Sequence, residues 1–120
     1  MDDPFDLERF VRAQVPVYET VLNELRAGRK TTHWIWFIFP QAKELGRSER
    51  AVHYGIGSLE EARAYLAHPI LGPRLKDCVE LVLSHHDVPL EHILGGVDAM
   101  KFLSCIEIFS DACGTDWLRR

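Results

Sequence analysis

The stretch His33-Trp34-Ile35-Trp36-Phe37-Ile38-Phe39-Pro40-Gln41 decides how this chain is read. It holds two of the three tryptophans and two of the six phenylalanines in 120 residues. Lys30, Thr31 and Thr32 lead into it. So much aromatic surface between hydrogen-bonding residues must either form the centre of a core or line a pocket. Its aromatic and β-branched content favours a strand, while its helical neighbours favour a helix that ends before Pro40. The helical or irregular reading is preferred. Trp34 and Phe37 are expected to pack in the core, and His33, Trp36 and Gln41 to carry any chemistry.

Moving outward, helical periodicity dominates and strand alternation is nearly absent. Asp3-Pro4 or Asp6 can cap a first helix bearing Leu7, Phe10 and Val11. Pro16 suits the opening of a second, in which Tyr18, Val21, Leu22 and Leu25 recur at three and four and Gly28 supplies the stop. After the aromatic stretch, Lys43 to Ser48 reads as an exposed link. Tyr54-Gly55-Ile56-Gly57 reads as a flexible approach to the capping box Ser58-Leu59-Glu60-Glu61. His68-Pro69 ends that helix. Gly72-Pro73 opens a long one with Leu75, Cys78, Val79 and Val82 inward. A short turn runs from Pro89 to Gly95-Gly96. Asp98 is expected to cap a final helix whose buried face is Phe102, Leu103, Ile106, Phe109 and Cys113. The expected fold is all-α, a single-domain irregular bundle of about five to six helices over residues 1–120.

Composition narrows the function classes. The chain is 47% apolar and 27% charged, as globular proteins are, and carries a net charge of −4. That balance argues against a nucleic-acid binder, which needs a basic face. The cluster Arg26-Ala27-Gly28-Arg29-Lys30 reads as a solvated helix end. Cys78, Cys105 and Cys113 are odd in number and widely spaced, with no disulfide framework, so a reducing, cytoplasmic setting is expected. No signal peptide opens the chain and no apolar run approaches a membrane span.

The strong catalytic motifs are missing: no GxxxxGK[ST], HExxH or GxSxG. No cofactor is implied. Adjacent His85 and His86 diverge on a helix and Pro89 separates them from His92, so a metal site is not expected. The best candidate site is aromatic. Trp34, Trp36 and Phe39 offer stacking walls, His33 an acid, base or phosphate donor, and Gln41 both a donor and an acceptor. Arg74 sits in the first turn of its helix, against the dipole, which suggests a specific partner, either an acidic side chain or an anionic ligand. Asp98, Lys101 and Ser104 follow one another at spacings of three and are expected to share a helix face. The site so assembled has His33 as the catalytic candidate and Trp36, Gln41, Arg74, Asp98, Lys101 and Ser104 for binding. Its ligand would be small and anionic or aromatic, plausibly nucleotide-like. The alternative is a protein–protein interaction module without catalysis.

Together these segments resemble one family. The landmarks are Arg9-Phe10-Val11, Gln14, Tyr18, Glu24-Leu25, Gly28-Arg29-Lys30, the HW-x-W-F-x-F-PQ block, Glu61-Ala62, the HP-x-LG-x-RL block from His68 to Leu75, Asp98, Lys101 and Phe109. The set is similar to the DUF1810 family of uncharacterised proteins. The resemblance implies a mainly helical small domain and supplies no activity. Two departures stand out. Glu107 falls where the family pattern has a small hydroxyl, and the chain ends some two dozen residues before the family pattern does. The second departure raises the expectation of exposed apolar surface on the last helix and of self-association.

Overall fold

The computed structural model describes residues 3–114. Among these residues there are eight α-helices and no strand. They are α1 (Glu8–Gln14), α2 (Tyr18–Ala27), α3 (Ile35–Ile38), α4 (Glu49–His53), α5 (Leu59–Ala67), α6 (Leu71–Leu83), α7 (Leu90–Leu94) and α8 (Gly96–Cys113), with a 3-10 turn at Lys43–Leu45. The all-α expectation holds. The number exceeds the expected five to six because α3, α4 and α7 are one-turn helices, too short to show a periodicity of their own.

The aromatic stretch is the helical turn α3 followed by an extended exit at Phe39. Pro40 disfavours helix at the residue before it, so the turn cannot lengthen. α8 is the longest helix and packs on α3, α5 and α7. Phe39 meets Phe102 of α8 edge to face at 4.9 Å between ring centroids, and Trp34 lies 6.0 Å behind Phe39. On the other side Phe10 packs edge-on to Tyr65 at 5.1 Å, and Tyr65 leans on Phe109 at 5.1 Å. Edge-to-face rings add about 1 kcal/mol each to the area they bury.

Buried polar groups then fix how the helices meet. Glu24, on the inner face of α2, accepts from four donors. Its Oε1 takes the backbone N–H of Thr31 (2.7 Å) and Thr32 (3.1 Å) and the indole N–H of Trp34 (3.0 Å). Its Oε2 takes the Thr32 hydroxyl at 2.6 Å. Burial alone would raise this carboxyl. The donors outweigh burial and bring its pKa down to about 2. Gln14, fully buried on α1, donates to the Phe37 carbonyl (2.7 Å) and the Tyr65 hydroxyl (3.3 Å) and accepts from Arg74 (3.2 Å). Arg9 spends all five guanidinium donors on the carbonyls of Phe5, Asp6, His53 and Gly55 and on the Glu61 carboxylate at 2.8 Å. That one side chain ties the entry to α1, the end of α4 and the start of α5 together.

Several local expectations need correction. Asp98 does not cap α8, which starts at Gly96; its carboxylate instead meets Lys30 at 2.8 Å. Lys30 is not a solvated helix end, for its side chain is only 6% exposed. Leu103 and Cys113 face outward, and the buried face of α8 is Ala99, Phe102, Cys105, Ile106, Phe109 and Ala112. The Gly55-Ile56 segment is packed rather than flexible. Ile56 is buried and pairs with the chain at residues 41–43 (Ile56 N–H to Gln41 O and Lys43 N–H to Ile56 O, 2.9 Å each). A Cβ at Gly55 would run into Lys43. The first helix is capped by Asp3, whose carboxylate accepts from Leu7 and Glu8. In the Ser58 box, Ser58 accepts from Glu61 N–H as expected, but Glu61 reaches back to Gly57 N–H, freeing its other oxygen for Arg9.

The HP-x-LG corner is explained by backbone geometry. His68 Nδ1 accepts the backbone N–H of Ile70 (3.1 Å) and Leu71 (3.3 Å), satisfying donors at the start of α6. Gly72 lies where a methyl would collide with the Leu66 carbonyl oxygen.

Two predictions follow from these contacts. Gly72→Ala must push α5 and α6 apart and should cost about 3 kcal/mol by urea unfolding. Glu24→Gln replaces one acceptor oxygen with an amide NH2 that faces donors and should cost about 2–3 kcal/mol at neutral pH. Because the folded pKa of Glu24 is depressed, the wild-type advantage is full above about 4.5, its ordinary value, and is lost as pH falls toward 2. Unfolding curves of both proteins should therefore converge in acid; a gap independent of pH would contradict the four-donor account.

Candidate functional site

Once the fold takes what it needs, the polar residues of the aromatic stretch divide. On the inner side, Lys30 lies 5.1 Å from the Trp34 ring centroid while binding Asp98. On the outer side, Trp36 is half-buried and flanked by two cations, Arg50 at 5.1 Å and Lys101 at 5.4 Å from its ring centroid. Both distances fall within cation–π range. Lys101 lies 3.9 Å from the Asp98 carboxylate, which is already paired more closely with Lys30. One carboxylate thus serves two lysines. Arg50, exposed on α4, has no ion pair among the described residues. The Trp36 face therefore carries positive charge that is incompletely neutralised.

α3 sets this geometry. Trp34 and Ile38 are turned inward, the first by Glu24, which leaves Trp36 on the side facing α4 and α8. Gln41 and Tyr54 complete a cleft with Trp36, Lys101 and Ile35 that holds about 10 Å³, room for a single water at most.

The structure brings together Trp36, Gln41 and Lys101, with Asp98 adjoining through Lys101. It separates the remaining residues. His33 is exposed at the entrance to the stretch, and no side-chain hydrogen bond to it exists among the described residues. Arg74 serves the core. Its partner is neither an acid nor a vacant anion site but the Gln14 amide oxygen and the face of Tyr18, 4.3 Å away. Ser104 lies in a different groove with Glu107 and Asp111. Two steps of three residues each rotate by about 60° on a helix, so Asp98 and Ser104 end up about 120° apart rather than on one face.

Two wider surface grooves lie elsewhere. The larger, about 870 Å³, runs between Phe5, Lys43, Arg47 and His53 and has Arg9 and Glu61 in its floor. With every Arg9 donor engaged, that floor offers a ligand no free guanidinium. Its rim mixes Lys43 and Arg47 with Asp6 and Glu49, so no single charge dominates. The smaller, about 470 Å³, is the Ser104 groove. The thiols are not nucleophiles at neutral pH where they are buried: burial pushes Cys78 up to about 12 and Cys105 well above the ordinary range. No group of three or more metal-ligating side chains occurs among the described residues, and no described helix is long and apolar enough to cross a membrane.

Sequence reasoning missed Glu24, Gln14, Lys30 and Arg9 as organising residues, and Arg50 as a member of the Trp36 face. Glu24 and Gln14 did leave a signal. Glu24 stands three after Val21 and Gln14 four after Phe10, so each interrupts an apolar stripe at a buried position. Arg50 left none, since only the packing of α4 beside α3 brings it there.

Comparison with known proteins gives a family and a fold but no activity. No curated protein matches the chain. Among solved structures, the crystal structure of the conserved hypothetical protein Rv1873 from Mycobacterium tuberculosis is similar, with 55% identity and a TM-score of 0.90. The match covers 92% of this chain and 79% of that one. The model of a protein family of unknown function, DUF1810, matches residues 4–118, and the chain belongs to that family.

Proposed function

We propose that this protein is a binding module that recognises carboxylate or phosphate groups of a partner at the Trp36 face. One observation supports the reading above others: Arg50 and Lys101 flank a half-exposed indole, with a single carboxylate shared between Lys101 and Lys30. An anion placed there meets two cations already held by an aromatic surface. Tryptophan and arginine are also the side chains that most often anchor interfaces. The cleft behind Trp36 is too small for a ring to enter, which favours a partner that docks on the surface over a ligand enclosed in a pocket.

A second reading has its own support. The Gln41 amide lines the cleft beside the Trp36 ring, and such a pair suits the edge and face of a small, planar, nucleotide-like anion.

Isothermal titration with a glutamate-rich peptide and, separately, with a nucleoside monophosphate distinguishes the two. The module reading expects peptide binding that weakens as salt rises and falls about tenfold or more in the Arg50→Ala/Lys101→Ala variant. Binding of the nucleotide alone supports the second reading. Peptide binding that the double variant leaves unchanged would rule out the Trp36 face.

A further inference from the structure

The groove holding Ser104 has a different character from the Trp36 face. Its walls come from the 3-10 turn, the start of α5 and the C-terminal half of α8. Leu45 and Leu59 are 51% and 42% exposed, and half-buried Ile108 of α8 lines the groove with them. Around this apolar floor stand three carboxylates, Glu44, Glu107 and Asp111. None has an ion pair among the described residues, and no cation among those residues lines the groove.

Three features of α8 make the charge one-sided. Glu107 and Asp111 are four apart on the helix, a like-charge spacing that destabilises it. Asp111 stands in the last turn, where the helix dipole is already negative, and that turn contains no basic residue. Arg63 donates to the Ala112 carbonyl but does not line the groove, so the rim stays unneutralised. These costs are relieved together by cationic groups arriving from outside. Apolar surface exposed beneath them calls for apolar side chains on the same visitor.

We propose that this groove docks a basic amphipathic segment of a partner protein, with aliphatic side chains on Leu45, Leu59 and Ile108 and lysines or arginines against Glu44, Glu107 and Asp111. The volume of about 470 Å³ suits a few side chains and not a folded domain. Nucleic acid does not fit, since its phosphates would face three carboxylates.

The test uses a short amphipathic Lys/Leu peptide as probe, measured by fluorescence anisotropy against the full chain. Glu107→Gln with Asp111→Asn should weaken binding about tenfold, and Leu59→Ser should weaken it as well. Removing the same charge from exposed sites outside the groove, by Glu19→Gln with Asp87→Asn, should leave affinity within about twofold. Thermal melting of the Glu107/Asp111 variant should be unchanged or raised, because a repulsion has been removed. Equal loss of binding in both charge variants would show attraction to net charge only and overturn the proposal. So would equal affinity for a Lys/Ser peptide, which lacks the apolar anchors. Tenfold tighter peptide binding by Arg119→Ala/Arg120→Ala would assign the groove to the chain's own C-terminal arginines and overturn the partner proposal.

Discussion

The Glu24 carboxylate is the constraint on which the rest depends. A charged group inside a helical core is costly unless its lone pairs are filled, and here four donors fill them. All four donors come from Thr31, Thr32 and Trp34, the residues that lead from α2 into the aromatic stretch. The carboxylate therefore does two things at once. It bends the chain into the core directly after Gly28, and it fixes the rotation of the stretch by holding the Trp34 indole N–H. With Trp34 held inward, Ile35 and Ile38 follow it into the core, Phe39 reaches Phe102, and Trp36 is left at the surface.

Most of the distinctive polar residues have structural duties of this sort. Arg9 and Glu61 join the first turns of the chain to α5, and Gln14 joins α1 to α3, α5 and α6 through Phe37, Tyr65 and Arg74. Lys30 and Asp98 join the end of α2 to the start of α8. A functional reading built on unusual polar residues would have assigned most of these to a ligand. What remains after subtraction is small: the Trp36 face with its cations, and the acidic groove farther along α8.

The long helices were legible because each repeats its apolar residues over about two turns, as Tyr18, Val21, Leu22 and Leu25 do in α2 and Leu75, Cys78, Val79 and Val82 do in α6. The division of the aromatic stretch was legible in part. Trp34 packs and Trp36 faces outward as the sequence suggested, although the reason, Glu24, was not visible. Arg74 shows how far such reasoning extends. Its placement against the dipole does signal a specific partner, but nothing in local spacing says that the partner is an amide sixty residues earlier in the chain. Ser104 shows a different failure: repeated spacings of three drift around a helix, and a face inferred from them turns away by the second step.

Hydrogen exchange at the tryptophan indoles, followed by NMR, tests the central claim most directly. If Glu24 holds the stretch as described, the Trp34 Nε1–H exchanges only on global unfolding, whereas the Trp36 Nε1–H exchanges orders of magnitude faster. Fast exchange at Trp34 in the folded wild type, or equal protection of Trp34 and Trp36, would contradict the account.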